Sequence, residues 1–119
     1  MKFNAKFSAS ACDETYPMAY VHCTDETSGY CFSLSRIPHE EHIELMVYDQ
    51  LVARISDLPV VFTGHAIHAE LHPELASRLD GVSKYEINLL DIDGRRSELI
   101  SALHKIFEGK TGFRDLSAA

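Results

Sequence analysis

Tyr85-Glu-Ile-Asn-Leu89, followed by Leu90-Asp-Ile-Asp-Gly94 and then Arg95-Arg-Ser-Glu-Leu-Ile-Ser-Ala-Leu-His-Lys-Ile-Phe-Glu108, changes its hydrophobic period once, from two to about 3.6. Tyr85, Ile87 and Leu89 alternate with polar residues, as in a strand with one buried face. Leu99, Ile100, Leu103, Ile106 and Phe107 then form the stripe of a helix lying on a sheet, and Gly109 ends it. A strand feeding one such helix assigns the chain to the α+β class. Burying that stripe contributes roughly 1.5–3 kcal/mol per large side chain, so loss of the helix is predicted to unfold the domain.

Upstream, the pattern is mostly strand. Phe3, Ala5, Phe7 and Ala9 alternate with polar residues, and Met18–Cys23 and Tyr30–Ser35 flank the polar loop Thr24-Asp-Glu-Thr-Ser-Gly29. Tyr30, Phe32 and Leu34 are expected on the core side. Ile37-Pro-His-Glu-Glu-His42 reads as a surface loop. Ile43, Leu45 and Val47 share one phase; Asp49-Gln50 interrupts it, and Leu51, Ala53 and Ile55 resume it, which predicts a tight turn or bulge near Asp49. Pro59–Phe62 and Ala66–Leu71 bracket Thr63-Gly64-His65 at hairpin length, and His72-Pro73 opens a short helix stopping at Gly81. The expected architecture is a mostly antiparallel sheet of about six to seven strands, one short helix and a C-terminal amphipathic helix. Residues 1–119 form one domain in this reading, with 113–119 as a disordered tail.

The chain of 119 residues buries roughly 65% of its unfolded surface at this size, enough for a single core. Its net charge of −7 works against binding nucleic acid, because no basic patch gathers. Three cysteines, Cys12, Cys23 and Cys31, lack CxxC spacing and read as reduced thiols. With no long apolar run, the reading is a cytoplasmic protein that does not enter a membrane.

Seven histidines raise the question of a metal, above all His65-x-x-His68-x-x-x-His72 with His39 and His42 nearby. Residues three apart on a strand face opposite sides, so no metal site and no cofactor are expected. A nucleophilic Cys23 or Cys31 with His22 as base is disfavoured for a related reason: adjacent strand residues face apart. The carboxylate pairs Asp13-Glu14, Asp25-Glu26 and Glu40-Glu41 read as solvated loop charge, and no glycine-rich phosphate loop is present. No catalytic residues are assigned. Glu44, Met46 and Tyr48 share a strand face that is either an acidic, partly aromatic surface or covered by a helix.

The strand Tyr30-Cys-Phe-Ser-Leu-Ser-Arg36, the strand Ile43-Glu-Leu-Met-Val-Tyr-Asp-Gln50, the turn Leu79-Asp80-Gly81, the strand Tyr85–Leu89 and the helix end Ile106-Phe107-Glu-Gly109 together resemble the immunity protein 10 family. Its members are small bacterial proteins associated with neutralising toxins of polymorphic toxin systems. The similarity covers roughly residues 29–113, and this chain has Leu51-Val-Ala-Arg-Ile55 where members often carry a Gly- and Tyr-containing stretch. The resemblance implies a non-enzymatic protein-binding module that neutralises a cognate protein toxin by surface occlusion. The candidate partner contacts are Glu44, Tyr48, Asp49 and Gln50, with Glu40 and Glu41 as rim charges. The alternatives are a small metal-binding protein or enzyme using His65, His68 and His72, and a homodimeric structural domain joined through an edge strand.

Overall fold

A computed structural model describes residues 1–11 and 18–117. Cys12, the Asp13-Glu14 pair and the last two residues of the expected tail lie outside the described residues. The chain runs β1 (Lys2–Ala11), β2 (Ala19–Thr24), β3 (Cys31–Arg36), β4 (Ile43–Tyr48), β5 (Leu51–Ile55), β6 (Val60–Phe62), β7 (Ala66–Glu70), α1 (Pro73–Ser77), β8 (Lys84–Leu89), α2 (Arg96–Ile106) and β9 (Phe113–Asp115).

The strands form one sheet in the order β5-β4-β3-β2-β1-β8-β7-β6-β9, curled into a half-barrel. This corrects the expected sheet of about six to seven mostly antiparallel strands closed by a C-terminal helix: nine strands are present among the described residues, and the pairing is mixed. Two causes are physical. The long β1 pairs with two neighbours, antiparallel to β2 through Lys6–Ala11 and parallel to β8 through Lys2–Ala5. Residues 113–115, assigned in the sequence to the tail, pair in parallel with β6, so α2 does not close the chain. Strands of three residues, such as β6 and β9, are too short to display an alternating pattern.

The apolar phase found in the sequence points inward. Phe3, Ala5 and Phe7 of β1, Val21 and Cys23 of β2, Phe32 and Leu34 of β3, and Ile43, Leu45 and Val47 of β4 are all buried. Against them α2, packed on β1 and β2, lays Leu99, Ala102, Leu103 and Ile106, while Ile100 sits at the margin. Its ends are pinned to the sheet by arginines. Arg95 donates to the Phe7 carbonyl at 3.1 Å and to Asp91 at 2.7 Å, with its guanidinium 4.1 Å from the centre of the Phe7 ring. Arg36, from β3, donates to the carbonyls of Ile106 at 3.0 Å and Glu108 at 2.6 Å, closing the helix C-terminus where carbonyls have no intrahelical partner.

The other sheet face carries Ser8, His22, Thr24, Cys31, Ser33, Ser35, Glu44, Met46 and Tyr48 in register across β1 to β4. No helix covers Glu44 or Tyr48, which are exposed. Among the described residues no helix is long and apolar enough to cross a membrane.

Candidate functional site

β4 ends at Tyr48 and turns through Asp49 and Gln50 into β5, with Val47 opposite Leu51. Two of the three adopt left-handed backbone, Tyr48 at φ 59° and Gln50 at φ 65°. For a bulky residue such as tyrosine this conformation costs on the order of 1–3 kcal/mol, and glycine would relieve it. The tyrosine stays, and the residue is 55% exposed.

Its ring is edge-on to Tyr30, centroids 5.9 Å apart. Tyr30 stands where the β2–β3 loop returns to the sheet. That loop is tied by Asp25, whose amide donates to the Tyr30 carbonyl at 2.9 Å and whose side chain accepts from Thr27 N at 2.9 Å, while Gly29 turns at φ 79°. The Tyr30 ring also meets Phe3 edge-on at 5.4 Å. Its hydroxyl donates to Asp80 Oδ2 at 2.6 Å and lies 2.6 Å from the Tyr85 hydroxyl, which donates to Asp80 Oδ1 at 3.4 Å. Burial, and then the hydrogen bonds to Asp80 and Tyr85, raise the Tyr30 pKa. Burial likewise pushes Tyr85 up to about 12. Both phenols therefore stay protonated at neutral pH and act as fixed dipoles.

Tyr30 thus joins two turns that are distant in sequence, Tyr48-Asp49-Gln50 and Leu79-Asp80-Gly81. Phe3, Tyr30, Tyr48, Asp25 and Asp49 border a groove of about 660 Å³. Asp49 is exposed and has no hydrogen bond or ion pair among the described residues.

The predicted contact residues do not gather in one place. Tyr48 and Asp49 border this groove, with Gln50 exposed beside them. Glu44 lies four residues back along β4, about 13 Å away at strand rise, and with Glu40 lines a separate cleft of about 70 Å³ that also contains Arg36 and Arg54. Glu41 is engaged by Lys110 at 3.1 Å, and this pairing holds its carboxyl below the usual range. Phe3, Asp25, Tyr30, Asp80 and Tyr85 were not among the sequence candidates. Tyr30 followed the apolar phase and was assigned to the core, yet it is half-buried. Its hydroxyl was the available signal, since a tyrosine on a buried phase needs a polar partner and belongs at a rim.

The histidines are dispersed. His65 is exposed in the β6–β7 turn, His68 lies on β7 with Nδ1 3.9 Å from Glu86, and His72 caps α1 by accepting from Glu74 N at 3.2 Å. Among the described residues no group of three His, Cys, Asp or Glu could hold a metal ion. Cys23 and Cys31 are free thiols; burial pushes Cys23 up to about 12, which removes it as a nucleophile at neutral pH. Cys31 shares the outer face with His22, but Thr24 stands between them, 3.0 Å from His22 Nε2 and 3.8 Å from Cys31 Sγ.

No family model, curated protein or solved structure matches this chain.

Proposed function

We propose that the protein is a non-enzymatic protein-binding module that neutralises a basic protein toxin by covering its working surface. The observation that carries this reading is Tyr48, an exposed aromatic side chain held in a costly left-handed conformation at a hairpin tip, beside the unpaired Asp49. Retained backbone strain at an exposed position is a pointer to use, and tyrosine anchors surrounded by polar rims dominate many protein interfaces. The net charge of −7 adds attraction for a basic partner, which acts mainly on the association rate. A toxin is the partner we propose because Asp49-Gln50 and Leu79-Asp80-Gly81 are features of the immunity-family resemblance; Tyr48, next to the first, and Asp80, within the second, both meet Tyr30. Occlusion requires no catalytic residue.

Co-expression with the product of the adjacent gene tests the reading. Growth rescue and co-purification are expected, and Tyr48→Ala should weaken both. A toxic neighbour that neither binds nor is rescued would exclude the toxin assignment.

A second reading, self-association, draws on β5. It is an edge of the sheet, and its Val52 is 48% exposed. Sedimentation across a hundredfold concentration range should then show a dimer that dissociates on dilution. A constant monomer mass excludes it.

A further inference from the structure

The chain contains two Asp-Gly sequences, Asp80-Gly81 and Asp93-Gly94, and in both the glycine takes the left-handed region, at φ 85° and 78°. An aspartate followed by glycine is prone to backbone rearrangement, because no side chain on the glycine hinders attack of its amide nitrogen on the neighbouring carboxyl carbon. The fold treats the two differently.

Asp80-Gly81 is held at both reacting groups. The Gly81 amide donates to the Ala76 carbonyl at 2.9 Å, and the Asp80 carboxylate accepts from the hydroxyls of Tyr30 at 2.6 Å and Tyr85 at 3.4 Å. Asp93-Gly94 is left almost free. It forms the centre of the turn closed by the Arg95 amide on the Ile92 carbonyl at 2.9 Å, and the Gly94 amide has no hydrogen bond among the described residues. The Asp93 side chain is 95% exposed; its partner is Arg96, 3.5 Å away, whose guanidinium also donates to the Gly64 carbonyl. An ion pair this exposed restrains little. A Cβ placed on Gly94 would meet nothing within 4 Å, so the turn has room to move.

We infer that Asp93-Gly94 is a site of spontaneous isomerisation to isoaspartate, and that the change loosens the entry to α2. The Gly94 nitrogen bonds to Cγ of Asp93, the nitrogen's proton leaves with the carboxyl hydroxyl as water, and a five-membered succinimide closes. Water returning to the Cγ carbonyl restores aspartate. Water returning to the α-carbonyl breaks that carbonyl's bond to nitrogen and leaves the main chain running through Cβ. Nothing is oxidised or reduced and the mass is unchanged, but the backbone is longer by one methylene. That length falls between two fixed points, since Ile92 is buried and Arg95 is bound to the Phe7 carbonyl and to Asp91. The turn bond between Ile92 and Arg95 is the one that gives way.

The test keeps the full chain in warm neutral buffer for several weeks, with a parallel sample in urea, and measures isoaspartate at each site by peptide mapping with electron-transfer fragmentation. In the folded chain Asp93 should isomerise at least about tenfold faster than Asp80, which must first release hydrogen bonds to its carboxylate and to the Gly81 amide. In urea the two rates should come within about twofold, because the difference lies in the fold. Asp93→Glu cannot close a five-membered ring, so it should abolish the product at this position. The isomerised fraction, separated after ageing, should melt at a lower temperature than the starting chain. Equal or faster reaction at Asp80 in the folded chain, equal contrast in urea, or no product at Asp93 would overturn the site. An isomerised fraction that melts with the starting chain would overturn the loosening of α2.

Discussion

Asp57 gathers four hydrogen bonds onto one carboxylate, from the amides of Leu58, Thr111 and Gly112 and from the Thr111 hydroxyl, at 2.8 to 3.2 Å. Partial burial pushes this carboxyl up, but the bonds from Leu58, Thr111 and Gly112 outweigh it and hold it below the usual range. The native state thus prefers the ionised form, and the stabilisation is complete above the unfolded pKa of about 3.9 and disappears as pH falls through the lower folded value. Urea unfolding of Asp57→Asn should therefore show its largest deficit at neutral pH, shrinking below about pH 4; a deficit independent of pH would contradict this sign. Gly112 is fixed by the same clasp. A Cβ there would collide with the Leu58 carbonyl oxygen, a backbone atom that cannot turn aside. Gly112→Ala should accordingly cost about 1–3 kcal/mol in denaturant midpoint analysis, as overpacking does. The sequence carried no sign of this contact, because Asp57 and Thr111 are 54 residues apart and neither belongs to a periodic pattern. Asp49 and Gln50 are legible because they interrupt such a pattern, and Tyr48 because it continues the strand face of Glu44 and Met46.

At the level of elements, what was legible is what has local periodicity. The helix read at Arg95–Glu108 is observed at Arg96–Ile106, and the strand read at Tyr85–Leu89 at Lys84–Leu89. Partners are different. Whether β8 runs beside β1 in parallel depends on how the chain crosses between them, and no residue in either strand encodes that direction by itself. The helix termini belong to the same class of nonlocal information. Arg95 at the α2 N-cap makes no capping bond with its side chain, and the C-terminus is completed from β3 by Arg36. Arg36→Met keeps most of the apolar stem while removing charge-assisted bonds to three carbonyls, those of Glu40, Ile106 and Glu108. It should destabilise the domain by about 1.5–3 kcal/mol and raise amide exchange first in the last turn of α2. Uniform exchange across the sheet and helix would show that Arg36 does not act as the cap.

For the whole molecule, the decisive asymmetry is between a full inner face and an open outer one. Leu99, Leu103 and Ile106 have no solvent exposure, and with Ala102 and Phe107 they close the curl of the sheet over β1 and β2. The rims and the outer face stay open, and there the Tyr48 hairpin and the Asp25 loop border one groove. The sequence places a turn or bulge near Asp49 and leaves the Tyr48 face either open or covered by a helix, and Phe3 and Tyr30 join Tyr48 only after β1 and β3 have taken places in the same sheet. That arrangement depends on the helix. Removing residues after Leu90 uncovers the inner face of β1 and β2 and also removes β9, together with the bond from Val60 N to the Gly112 carbonyl. Losing four large side chains of α2 forfeits about 6–12 kcal/mol of burial, comparable with the entire 5–15 kcal/mol stability typical of a domain. A chain truncated after Leu90 should therefore lack cooperative unfolding and strand circular dichroism even with Tyr30, Tyr48 and Asp49 intact. A folded, soluble truncation would mean that the sheet sustains itself and that the helix contributes little to forming the site.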